Sequence, residues 1–139
     1  MRKFILILIF IFFPNATNAS EINNIIDKTT VFLMNNWDSD KSLKKIYPPQ
    51  VVTTNKGTKV YGGCGDYKSG IDVGGSYYCP ATHTIVLDPK QLENFVKYFG
   101  NSSIAFVIAH EFAHALQEGL GMKYEKPNSE LQADCLAGY

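Results

Sequence analysis

The spacing of apolar side chains divides this chain into elements before any chemistry is considered. Ile22, Ile25, Ile26, Thr29, Phe32 and Leu33 recur at helical spacing. They predict an amphipathic helix from Glu21 to about Asn36 that packs through this stripe. Ser42 to Tyr47 suits one further helical turn, stopped by Pro48-Pro49. Val51-Val52-Thr53-Thr54 and Thr58-Lys59-Val60-Tyr61 are β-branched runs joined by Asn55-Lys56-Gly57, which predicts a hairpin. The glycine-rich stretch from Gly62 to Gly75 reads as a loop, since it lacks the G-x-x-x-x-G-K-[ST] pattern of a phosphate cradle and no helix follows it.

Thr84 to Leu87 predicts a strand. Asp88, Pro89 and Gln91 then supply an N-cap, an N1 proline and a capping-box glutamine for a helix that runs to Phe99 and stops at Gly100. Asn101 or Ser102 caps the next helix. It is apolar on every side through Ile104–Ala109 and beyond, is therefore expected to be buried, and ends near Gly119 or Gly121. Asn128 to Ala137 reads as a last short helix, with Asn128 or Ser129 as its cap after Pro127. This order predicts an α+β domain in which a small twisted sheet is laid on the apolar helix. The segment Ala81–Leu87 is the expected wall of the cleft, with a free edge for an extended peptide, and His83 is expected at the surface.

The first residues read as a targeting segment. Arg2 and Lys3 precede ten unbroken apolar residues, Phe4 to Phe13, and then a small-residue stretch with Thr17 and Ala19 at the −3 and −1 positions of a cleavage site. Ten are too few for a membrane span, which needs about 20. A signal peptide over 1–19 and a single domain over 20–139 follow, in an exported, periplasmic or extracellular protein that meets the membrane only transiently. Loss of Arg2 and Lys3 takes the 13 basic residues to 11 against 13 acidic ones, a net of −2. With no basic stripe, nucleic acid is excluded as a partner. In an oxidising compartment Cys64 and Cys79, fifteen apart, are expected to form a disulfide that contributes about 3 kcal/mol. Cys135 is left over and is expected to pack as a small buried residue.

The chemistry lies in His110-Glu111-Phe112-Ala113-His114, an H-E-x-x-H motif. Residues i and i+4 share a helix face, so the two imidazoles can grip one metal ion while Glu111 reaches a water beside it. Zinc lowers the pKa of such a water to about 7, and the glutamate takes its proton. A tetrahedral zinc then lacks one protein ligand. Glu130 and Asp134, an E-x-x-x-D pair on the last helix, supply it: Glu130 as third ligand, Asp134 as the acceptor for the far N–H of a ligand histidine, His110 by expectation. The bland reading is a pair of satisfied core histidines with solvated acids.

Three segments carry a resemblance to the bacterial neutral zinc metallopeptidase family. They are Gly74-Gly75-Ser76-Tyr77-Tyr78-Cys79-Pro80 with Thr84-Ile85-Val86-Leu87-Asp88, then Val107 to His114, then Glu130 to Gly138. The resemblance implies a zincin-like fold, one zinc ion held by His110, His114 and Glu130, and Glu111 as catalytic base. Members usually continue beyond the A-D-C-x-A-G segment, so the domain is read as C-terminally shortened. The resulting reading is an exported zinc metallopeptidase acting on peptides or proteins, with Tyr77, Tyr78, His83 and Tyr139 as possible oxyanion donors. The alternative is a non-catalytic zinc-binding protein or inactive relative whose metal site is structural. Substrate preference and oligomeric state are not encoded legibly.

Overall fold

A computed structural model describes residues 19–54, 75–122 and 125–138. Its elements, in chain order, are α1 (Ala19–Ser39), β1 (Gln50–Thr53), β2 (Tyr77–Cys79), β3 (Thr84–Leu87), α2 (Pro89–Phe99), α3 (Ser102–Gly119) and α4 (Asn128–Ala137). The architecture is α+β, four helices and one mixed three-stranded sheet of order β1-β3-β2. The signal segment, the second arm of the expected hairpin, the glycine-rich loop up to Gly74, Cys64 and Tyr139 lie outside the described residues.

β3 is the central strand. It pairs in parallel with β1, Val51 opposite Ile85, and antiparallel with β2, Tyr78 opposite Ile85. All four of its residues are buried, which fits an unbroken Thr-Ile-Val-Leu run with a neighbour on each side. The free edge expected on Ala81–Leu87 therefore does not exist. Among the described residues, β2 borders the sheet instead. The second arm of the expected hairpin lies outside the described residues; the described partner of β1 is β3, 34 positions on at the register pair Gln50–Thr84.

The core gathers Ile22, Ile26 and Trp37 of α1, Ile85 and Leu87 of β3, Leu92 and Val96 of α2, and Ile104, Ile108 and Phe112 of α3. Trp37 meets the Phe112 ring edge-on at 6.2 Å, and its indole N–H donates to the Ile46 carbonyl at 2.8 Å. Phe32 does not belong to the buried stripe, being 64% exposed. Ile22, Ile26, Leu33 and Trp37 are spaced by fours and a seven. Phe32 lies about 100° round the helix from Leu33.

α2 begins as expected, with the Asp88 carboxylate accepting from the Lys90 N–H at 2.9 Å. The capping box does not close. Gln91 instead accepts from the Ser76 N–H at 2.6 Å, and the Asp88 N–H donates to the Ser76 hydroxyl at 3.0 Å. Ser76 thus ties the approach to β2 onto the start of α2. α3 ends at Gly119, and Gly121 (φ 67°) then turns the chain, a left-handed conformation that glycine adopts without steric cost. Asn101 caps α3 by position only, because its side chain donates to Glu21 of α1.

α3 is not buried all round, as its apolar sequence suggested. Phe106 is 46% exposed, and the face bearing His110 and His114 is only partly covered. α4 covers part of that face but is itself mostly exposed, with Ala133 its one fully buried residue. Pro127 takes its N-cap position without a side-chain cap. Cys135, expected to be buried, is an exposed free cysteine. A short helix lying on the surface has room for one inward stripe, and Glu130 and Ala133 occupy it.

Candidate metal centre

Helical geometry stacks His110 and His114 one turn apart on α3, their rings 4.7 Å apart at 86°. α4 crosses this face and brings Glu130 to both. The Glu130 carboxylate oxygen lies 3.3 Å from each Nε2, and the two Nε2 atoms are 3.1 Å apart. Three ligand atoms thus form a nearly equilateral triangle. Donors about 2.0–2.1 Å from a tetrahedral zinc would be about 3.3–3.4 Å from one another, so the set fits such an ion. His110, His114 and Glu130 form the metal-competent group among the described residues.

The outer nitrogens of both rings are held. His110 Nδ1 donates to Asp134 at 2.9 Å, as the sequence suggested. An ionised carboxylate only accepts, so the proton sits on Nδ1 and the Nε2 lone pair faces the centre. His114 is held by a residue that sequence reasoning missed. Its Nδ1 donates to Gln117 Oε1 at 2.8 Å. The Gln117 amide nitrogen donates to the Ser129 carbonyl and to Gln132 Oε1, both at 2.9 Å. Because a carbonyl can only accept, this contact fixes which end of Gln117 faces the ring. Gln117 is 5% exposed. The signal for it was a polar residue one turn past the motif, inside an apolar helix. With both outer nitrogens protonated, three lone-pair donors converge on one point, an arrangement that a cation relieves.

Glu111, next to His110 on α3, accepts from the backbone N–H of Tyr78 in β2. It is 7% exposed. Burial pushes its carboxyl above the ordinary value, helped by the Glu130 charge and opposed by His114 and the Tyr78 N–H. At Glu130, burial acts upward as well. The Lys126 hydrogen bond, with the electrostatic influence of His114, Lys126 and His110, outweighs it and holds that carboxyl below its ordinary value. Lys126 sits 3.3 Å from the second Glu130 oxygen.

His83 and Tyr78 are committed to each other. The Tyr78 hydroxyl donates to His83 Nδ1 at 2.7 Å, and His83 Nε2 donates to the Tyr47 carbonyl at 2.7 Å. His83 is half-buried and adopts φ 51° in the turn between β2 and β3. Burial, and then the Glu118 charge, push the Tyr78 phenol up to about 12. Its hydroxyl therefore stays protonated, and it donates to His83.

Residues 15–127 match the family described as "Putative neutral zinc metallopeptidase", and the chain belongs to that family. The matched span stops just before α4, so the approach of Glu130 and Asp134 to the histidines rests on the geometry above. The chain is similar to an Escherichia coli K12 protein named "Uncharacterized protein YpfJ", 28% identical over 146 residues, which cover 90% of this chain and 48% of that one. It is also similar to "Uncharacterized protein Rv2575" of Mycobacterium tuberculosis and "Uncharacterized protein Mb2605" of Mycobacterium bovis. Each is 34% identical over 91 residues, covering 55% of this chain and 30% of the relative. The chain spans about half the length of the Escherichia coli relative. No solved structure matches it.

Proposed function

We propose that the protein is an exported, zincin-like peptidase that binds one zinc ion through His110, His114 and Glu130 and hydrolyses peptide bonds with Glu111 as general base. The observation that carries this reading is the pairing of a zinc-sized donor triangle with a buried glutamate that does not take part in it. A structural site has no need of such a group.

A zinc ion bound there supplies Lewis acidity toward a substrate carbonyl and acidifies water. The remaining work falls to the chain. Glu111 takes a proton from the attacking water and passes it to the leaving amine, and its upward-shifted carboxyl suits a group that must both accept and release a proton near neutral pH. The Tyr78 N–H fixes the direction of that carboxylate. Asp134 and Gln117 keep the ring protons on Nδ1, leaving both Nε2 atoms free to bind metal. β2 is the strand that borders this chemistry, and an extended substrate is expected along it. Export through residues 1–19, a mature domain over 20–139 and peptide or protein substrates complete the reading.

The test pairs zinc content with turnover of an unstructured peptide for wild type and Glu111→Gln. The variant should keep its zinc and lose activity by at least about 10²–10⁴-fold. Equal cleavage by both proteins would overturn the role of Glu111. A wild type that binds zinc tightly and cleaves nothing would leave the structural reading of the site.

A further inference from the structure

A cleft of about 750 Å³ opens beside the metal centre on its His110 side, between α2 and α3. Its walls are Phe95 and Phe99 of α2 and Phe106 and Val107 of α3, and its inner edge is His110 and Glu111. Phe106 precedes His110 by four residues and Val107 precedes Glu111 by four, so the apolar floor and the site residues share one helix face. The Phe106 ring lies 6.4 Å from the His110 ring, and Phe95 meets Phe99 edge-on at 6.0 Å. Phe95 also packs against the core, but the other two rings do not. Phe99 is 71% exposed, and neither it nor Phe106 joins the buried cluster. Glu111 and Asp134 are the only carboxylates among the described lining residues, and no lysine or arginine joins them. Both are already bonded, to the Tyr78 N–H and to His110.

We infer that this cleft is the subsite for a large uncharged side chain, of the phenylalanine, leucine or methionine class, next to the bond that is hydrolysed. The inference rests on the peptidase reading and adds the substrate class to it. The volume lies within the range of ligand sites, about 300–1,000 Å³. An apolar side chain covers the exposed rings and gains by leaving water. A charged one would be dehydrated against Phe95, Phe99 and Phe106, a cost that Glu111 and Asp134, already bonded to the Tyr78 N–H and to His110, offset only in part. A glycine would leave the rings wet.

The test measures binding, so it does not depend on turnover. Phenylalanine, glycine, aspartate and lysine hydroxamates are titrated calorimetrically into the zinc-loaded protein. The phenylalanine compound should bind at least about tenfold more tightly than the glycine one, and the two charged compounds no more tightly than glycine. Phe99→Ser combined with Phe106→Ser alters exposed positions only and should reduce phenylalanine to the glycine level with an unchanged circular dichroism spectrum. Ser102→Asp, at the far end of the cleft, should raise affinity for the lysine compound alone. Equal binding of all four compounds, no binding of any, or a phenylalanine preference that survives the double substitution would each overturn the inference. Peptide cleavage is assayed in parallel: a phenylalanine preference without cleavage supports the subsite and removes the peptidase reading.

Discussion

Gln117 accepts a hydrogen bond from the His114 ring at 2.8 Å and, through its amide nitrogen, donates to Ser129 and Gln132 of α4 at 2.9 Å. One buried side chain thus sets the direction of one candidate ligand on α3 and anchors the helix that carries another. Gln117→Met keeps the volume and removes all three bonds. Zinc affinity should fall about 10–100-fold, as for other groups that orient a ligand, and amide exchange in α4 should accelerate while exchange in α2 does not. Competition with a chelator and hydrogen-exchange mass spectrometry check this. Affinity unchanged in the variant would remove Gln117 from the site.

Glu130 and Asp134 sit one turn apart on α4 but touch different things. Glu130 lies 3.3 Å from both inner nitrogens, whereas Asp134 meets the outer nitrogen of His110. Glu130→Gln should therefore weaken zinc binding more than Asp134→Asn, for which a loss of about 10–100-fold is expected. Chelator titration of both variants decides the order. The reverse order would exchange their roles.

The exposed position of Phe32 bears on stability. Ile26→Ala removes a core side chain and should cost about 2–5 kcal/mol, while Phe32→Ser should lie within about 0.5 kcal/mol of wild type. Urea unfolding of the metal-free protein measures both. A large cost at Phe32 would mean that another segment covers it.

Cys64 and Cys79 should be joined when the protein is isolated from an oxidising compartment, while Cys135, exposed and free, should alkylate without denaturant. Peptide mapping of the non-reduced protein tests the pairing. Free alkylation of Cys64 and Cys79 would disprove it.

Much of the site was legible because it is local. An i, i+4 spacing places His110 with His114 and Glu130 with Asp134 whatever the fold, and the span Asn128–Ala137 of α4 is the one the sequence predicts, although neither Asn128 nor Ser129 caps it. Asp88 and Gly100 likewise delimit α2 by their own chemistry. What the sequence did not show was non-local. Nothing near Gln50–Thr53 announces that its parallel partner is β3, contributed from far along the chain. Nothing in Thr84–Leu87 alone distinguishes a central strand from an edge. The capping box at Gln91 was lost to Ser76, and the stripe was drawn one residue too wide at Phe32. Gln117 went unnoticed because its three partners lie on two helices.

α4 has one fully buried residue, Ala133, and is otherwise tied to α3 by Glu130, Asp134 and the Gln117 contacts. So small an apolar contact gives the helix little adhesion of its own, and a bound ion would act as the rivet. Metal departure then becomes a kinetic property of the backbone: the ion leaves when the helix lifts. At high chelator concentration the rate of zinc loss should level off at the opening rate of this ten-residue segment, so that the resting lifetime of the centre is set by a helix that never belonged to the core.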